Sequence, residues 1–187
     1  MAYIGIEQIK DYLGISVDTD NSLLATMIDN AQGVIEAYTD RVFKAETATK
    51  YFDADNIDGR FLYIEGYDLM TITTLTNGDG SEIASANYRL EPRNETPKWA
   101  IRLDGDAAWE LDDSDSEISI LGTWGYSTTP PDDIIHACIR LTAFIYRQKD
   151  TSSDIDRPMM TGDGVTIMPS AIPQDVKSIL DKYRRRI

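Results

Sequence analysis

The hydrophobic period changes twice along this chain, from helical to alternating and back to helical, and that order restricts the fold more than any single motif does. Ile6, Ile9 and Leu13 recur at helical spacing, and Gly14 follows where a left-handed C-terminal residue is commonly needed. Asp18, Thr19, Asp20 and Asn21 offer caps for a longer helix, in which Leu24, Met27, Ile28, Ala31, Ile35 and Tyr38 share one face as far as Thr39. The other face, with Thr26, Asp29, Asn30, Gln32, Gly33 and Glu36, is polar and carries small residues. It suits solvent and the close approach of another chain about equally.

From about Thr47 to Tyr126, short runs rich in Tyr, Ile, Thr and Trp are separated by Gly, Asn and Asp clusters, the pattern of hairpin-connected strands. The spacing predicts strands near Thr49 to Phe52, Phe61 to Ile64, Met70 to Thr76, Tyr88 to Glu91, Trp99 to Leu103 and Glu117 to Thr123. Asn77, Gly78, Asp79 and Gly80 tolerate positive φ and predict a turn between Leu75 and a returning edge around Ile83.

Helical spacing resumes after Thr128. Pro130 and Pro131 fit a helix entrance, and Asp132 and Asp133 favour its positive pole. Ile134, Cys138, Leu141 and Ile145 form a ridge, flanked by Ile135, Ile139 and Tyr146, in a helix expected to reach Lys149. The stretch from Asp150 to Gly164 breaks both periods and is expected to be a flexible loop. A last helix begins near Pro173, sets Val176, Ile179, Leu180 and Tyr183 on one side, and ends in Arg184, Arg185 and Arg186. The expected class is therefore α+β: a helical bundle built from the N-terminal and C-terminal helices, with an inserted antiparallel β region. Residues 1–187 are expected to form a single domain, comprising N-terminal helices 1–46, the β region 47–127, and C-terminal helices 128–187 with a flexible loop at 150–170.

A chain of 187 residues can bury a full core without a metal or disulfide. Its 32 acidic and 18 basic residues give a net charge of −14, so a broad grip on nucleic-acid phosphates would work against the chain's own field. One cysteine, Cys138, excludes an intrachain disulfide, and one histidine, His136, excludes any site that needs two imidazoles. Neither a signal segment nor a run long enough to span a membrane is evident, which predicts a soluble protein from a reducing compartment.

Residue chemistry gives little else. Asp53, Asp55, Asp58, Gly59 and Glu65 suggest a calcium loop, but counting from Asp53 the fifth position is Ile57 and the sixth is Asp58 rather than glycine, so an acidic hairpin turn is expected. Asp112, Asp113, Asp115 and Glu117 read as a solvated turn. Cys138 and His136 lie two apart on a helix and point in different directions, which disfavours a dyad. Gly162, Asp163 and Gly164 lack the strand, lysine and spacing of a phosphate loop. Thus no catalytic, cofactor or metal residue is assigned. Trp99, Trp109 and Trp124 fit core or interface anchors better than a sugar or base platform. Arg184, Arg185 and Arg186 complement a helix's negative pole and equally suit docking on an acidic partner.

Four pieces, in order, carry a family resemblance. They are Ile9-Lys10-Asp11-Tyr12-Leu13-Gly14-Ile15 followed by Ile35-Glu36-Ala37-Tyr38-Thr39-Asp40-Arg41-Val42-Phe43; Asn87-Tyr88-Arg89-Leu90 with Lys98-Trp99-Ala100-Ile101-Arg102-Leu103; Gly122-Thr123-Trp124-Gly125-Tyr126-Ser127 with Pro131-Asp132-Asp133-Ile134-Ile135-His136-Ala137-Cys138 and Tyr146-Arg147; and Tyr183-Arg184-Arg185. In that succession the chain resembles the head-tail connector, or adaptor, proteins of tailed bacteriophages, which complete the head below the portal. The resemblance implies a noncatalytic virion protein without cofactor, assembled in the host cytoplasm as a homomeric ring, commonly of twelve subunits, in the neck of the particle. DNA would pass through without specific binding, and no membrane is involved. By position, portal contact falls on Tyr183, Arg184, Arg185 and Arg186. Contacts with neighbouring subunits or with a downstream neck or tail-completion protein fall on Trp99, Trp109, Asp150 and Asp154. The competing readings are a cation- or glycan-binding β module on a helical scaffold and, behind it, a hydrolase that uses carboxylates.

Overall fold

A computed structural model describes residues 2–112, 117–148, 159–160, 166–167 and 172–185. The chain divides into two compact units: Met1–Asp40 together with Pro131–Ile187, and Arg41–Pro130. The architecture is α+β, as the alternation of periods predicts.

The first unit holds α1 (Ile6–Leu13), α2 (Asn21–Thr39), α3 (Asp132–Gln148) and α4 (Gln174–Leu180). Gly14 ends α1 with φ 71°, and the Ile15 N–H donates to the Lys10 carbonyl at 3.0 Å, closing the last turn. At the other end of α1 the Gln8 side chain accepts the Gly5 N–H at 2.8 Å. The apolar stripe of α2 is buried at Leu24, Met27, Ile28, Ala31 and Ile35, while Tyr38 is half-buried and Thr39 takes the last interior place. Thr39 tolerates that place because its hydroxyl donates to the Ile35 carbonyl at 2.8 Å. Asp20 is the N-cap residue of α2 but makes no side-chain cap; its carboxylate instead accepts the Tyr146 hydroxyl of α3. The polar face of α2 is partly claimed by the chain itself: Gln32 accepts the Tyr3 N–H at 3.1 Å and Glu36 accepts the Tyr3 hydroxyl at 2.6 Å.

In α3 the buried residues are Ile134, Ala137, Cys138, Leu141, Thr142 and Ala143, and the expected ridge loses Ile145 to a half-buried place. Two of the buried side chains, Ala137 and Ala143, are small. Val176 and Leu180 bury one side of α4, which starts after Pro173. Two further short strands, β8 (Met159–Met160) and β9 (Thr166–Ile167), pair antiparallel. The rest of the expected 150–170 loop lies outside the described residues.

The second unit contains β1 (Glu46–Phe52), β2 (Ile57–Asp58), β3 (Phe61–Tyr63), β4 (Leu69–Thr76), β5 (Tyr88–Glu91), β6 (Ala100–Leu103) and β7 (Ile118–Trp124). They form two antiparallel sheets, ordered β1-β7-β4 and β2-β3-β6-β5. Trp99 stands just outside β6, and β1 starts three residues earlier than its sequence pattern suggests, because Glu46 to Ala48 pair with Gly122 to Trp124. The inward residues of both sheets, among them Phe52, Leu62, Leu75, Ile101, Leu103, Ile118 and Ile120, share one core. Gly122 lies where β4 presses against β7: a Cβ there would come 2.4 Å from the Thr71 carbonyl oxygen.

The expected 77–80 turn is present, and Ile83 returns with its N–H on the Leu75 carbonyl at 2.8 Å. It is more than a solvent turn, since Asn77 is buried at 6% exposure. Its amide donates to the Ala108 carbonyl at 3.1 Å and accepts the Glu110 N–H at 3.1 Å, pinning a segment more than thirty residues away.

Candidate assembly surfaces

The C-terminal basic segment is anchored before it is displayed. The Arg185 N–H donates to the Thr39 carbonyl at 2.9 Å, and its Nε lies 3.1 Å from the Asp40 carbonyl oxygen and 3.2 Å from the Asp40 carboxylate. Those carbonyls end α2, where no intrahelical donor is available, so Arg185 supplies a cap from the far end of the chain. Asp40 adopts the left-handed conformation at φ 54°, which turns its carbonyl to that cation. Tyr183 donates to the Asp133 carboxylate at 2.7 Å. Arg184 is exposed, with its guanidinium 5.8 Å from the centre of the Tyr38 ring. The Tyr38 hydroxyl donates to Asp181 at 2.5 Å, and that carboxylate raises the phenol above its ordinary value. Of the four residues assigned to portal contact, Tyr183 and Arg185 thus hold the helical unit together, Arg184 faces solvent, and Arg186 lies outside the described residues.

A second polar pin joins three helices. Arg140 on α3 reaches Asp175 on α4 at 2.6 Å and donates to the Tyr12 hydroxyl of α1 at 3.1 Å. Its guanidinium holds the Asp175 carboxyl below the usual carboxylate range. The sequence places Arg140 on the polar side of α3 but contains no local signal for a partner thirty-five residues on.

The three tryptophans occupy three different settings. Trp99 is 51% exposed and stacks on Tyr63 with centroids 5.9 Å apart and planes within 6°. Tyr63 stacks in turn on Phe61 at 6.0 Å, and the Arg102 guanidinium lies 5.5 Å from the Phe61 ring. Trp109 is half-buried beside an open depression of about 570 Å³ that Ile57, Arg60, Leu103 and Leu111 also line. Trp124 is interior, and its indole N–H donates to the Ala48 carbonyl at 2.9 Å. Three rings in three settings make no common platform for a sugar or base. The other proposed contact residues, Asp150 and Asp154, lie outside the described residues.

The reactive residues are kept apart. Cys138 is buried and its thiol is pushed up to about 12, chiefly by loss of solvent, whereas His136 is exposed. Asp53 serves a short 3-10 turn, Ala54–Asn56, in which its N–H donates to Asn56 at 3.2 Å. Among the described residues no group of three or more His, Cys, Asp or Glu side chains converges as metal ligands, and no helix is long and apolar enough to cross a membrane. Asp113 and Asp115 lie outside the described residues.

The described residues thus form a helical unit and a two-sheet unit inserted in its sequence, with Trp99 and Arg184 exposed. A family model described as "Head completion protein" matches residues 2–186, and the chain belongs to that family. Its role is accordingly structural, at the join of head and tail in a phage-type particle. No curated protein matches it. Among solved structures, the chain is similar to a subunit from the neck of an empty GTA particle computed with C6 symmetry, with a TM-score of 0.68, 17% identity, and coverage of 99% of this chain and 91% of that one. It is also similar to a subunit from the neck of a native GTA particle computed with C12 symmetry, with a TM-score of 0.66, 18% identity and the same coverages, 99% and 91%. A third match comes from the virion of a native gene transfer agent particle, with a TM-score of 0.65 and 18% identity over 99% and 91% of the two chains.

Proposed function

We propose that this chain builds a closed ring in the neck of a virion, between portal and tail, and extends the DNA channel without catalysing a reaction. The observation that carries the reading is the whole-chain match to the head completion family, supported by fold likeness over 99% of the chain to subunits of necks treated with C6 and C12 symmetry. A ring of identical subunits needs two different mating surfaces on each copy, and one chain then encodes the whole assembly. The net charge of −14 suits a conduit, because a negative lumen repels passing DNA rather than holding it.

Portal attachment is assigned to the C-terminal segment, with Arg184 as the exposed cation and Tyr183 and Arg185 fixing the segment in place. Trp99, with its open ring, is assigned to a neighbouring subunit or a downstream neck protein. Trp109, Asp150 and Asp154 are each assigned, separately, to contact with a neighbouring subunit or a downstream neck protein. Reconstitution tests the reading: the purified chain is expected to be monomeric or weakly associated alone and to form rings on a portal surface, which raises its effective concentration. Electron microscopy of neck assemblies that lack this chain's density would overturn it. Arg184→Glu is expected to weaken portal attachment at fixed salt while the fold is kept; unchanged attachment would reject the docking role of Arg184.

A further inference from the structure

The two edges of the β1-β7-β4 sheet are treated differently. The outer side of β4 is closed near both ends: Leu69 and Lys98 exchange N–H···O bonds of 2.7 and 3.3 Å, and Ile83 donates to Leu75 at 2.8 Å. In contrast, β1 pairs with β7 along one side, and among the described residues no strand pairs with its other side. Thr47, Thr49 and Tyr51 are all exposed there, Tyr51 at 60%. An open edge of seven residues is a template for another strand.

The sequence of that edge selects the strand. The outward backbone groups of an edge alternate, so two identical strands can meet about a two-fold axis only with that axis on a residue, not between residues. Centred on Thr47, the pairing sets Lys44 against Lys50; centred on Lys50, it sets that lysine against itself. Centred on Thr49, it sets Glu46 against Phe52 and Lys50 against Ala48, so neither charge meets an opposite one. Centred on Ala48, it sets Glu46 of each copy opposite Lys50 of the other, whose ammonium lies 3.9 Å from the centre of its own chain's Tyr67 ring, and Thr47 opposite Thr49, twice over. Opposite charges and Thr–Thr pairs across strands are the favourable combinations.

We propose that the free chain pairs with a second copy of itself, antiparallel along β1, about a two-fold axis at Ala48. A two-fold contact is complete at two copies, so this is not the joint that propagates a ring. It covers the open edge in the unassembled protein and is independent of the portal and ring assignments. The contact is one strand wide, which makes the dimer weak and concentration-dependent.

Sedimentation of the full chain over a concentration series tests this, with circular dichroism to check folding. Wild type is expected to pass from monomer to dimer. Glu46→Lys opposes two lysine pairs and is expected to weaken the dimer by about tenfold or more, and E46K/K50E is expected to recover it by exchanging the charges. In oxidised Thr47→Cys/Thr49→Cys, disulfide-linked dimers are expected, since directly opposed Cβ atoms lie within disulfide reach and the native Cys138 is buried. A wild-type chain that stays monomeric throughout, or association unchanged by E46K, would overturn the proposal. Should the charge-exchanged chain fail to fold, the cysteine pair decides: covalent dimer supports the proposal and its absence refutes it.

Discussion

The Arg185 guanidinium closes the C-terminal end of α2 by lying 3.1 Å from the Asp40 carbonyl oxygen and 3.2 Å from its carboxylate. The residue beside it, Arg184, faces solvent, so adjacent arginines divide holding the fold from meeting a partner. Arg185→Ala is therefore expected to lower stability by about 1–2 kcal/mol through loss of the charged cap. Arg184→Ala is expected to stay within about 0.5 kcal/mol of wild type. Paired thermal melts check the contrast, and equal effects of the two changes would contradict it.

Asn77 bonds both sides of its amide to the 108–110 segment from a buried position. Asn77→Ala leaves the Ala108 carbonyl and the Glu110 N–H without that partner, so a loss of about 1–3 kcal/mol is expected in urea unfolding. Hydrogen exchange should show the loosening first at Glu110.

At Gly122 a methyl group has no room, because the Thr71 carbonyl oxygen would stand 2.4 Å from the new Cβ and belongs to backbone. Gly122→Ala is expected to force β4 away from β7 and to cost about 2–3 kcal/mol, an overpacking penalty. A chemical-denaturation midpoint equal to wild type would show that the sheet yields freely.

The Asp175 carboxyl is held below its ordinary value of 3.8 by the hydrogen bond from Arg140. A depressed acid stabilises the fold above its unfolded value, and that contribution is lost as pH falls through the folded value. Acid unfolding of wild type should thus gain part of its slope below about pH 4. Asp175→Asn should be less stable at neutral pH and show a shallower decline on acidification.

Cys138 should not react with a thiol reagent at pH 8, since burial raises its thiol to about 12. Denaturation should expose one thiol per chain, and fast labelling of the native protein would contradict the packing of α3.

Much of the architecture is legible in the linear pattern, since helical and alternating periods report directly which faces must leave water. Leu24 to Ile35 bury the face their spacing predicts, α1 and α4 bury theirs only at Ile9 and at Val176 and Leu180, and Gly14 takes the conformation its type favours. Strand ends are less legible: Glu46 is charged and exposed yet lies in β1, because β7 supplies a partner up to Trp124. Asp20 has the composition of a cap, but the Tyr146 hydroxyl takes its carboxylate.

By itself the amino-acid order determined the class of fold, the separation of Cys138 from His136, and the succession of segments that marks a connector. Tertiary structure alone decided which polar side chains are already engaged: Arg185 on Asp40, Arg140 on Asp175, Asn77 on Ala108. Hydrophobic periodicity is local, set by the backbone repeat, whereas a hydrogen-bond partner thirty or more residues away exists only once packing brings the two groups within about 3 Å.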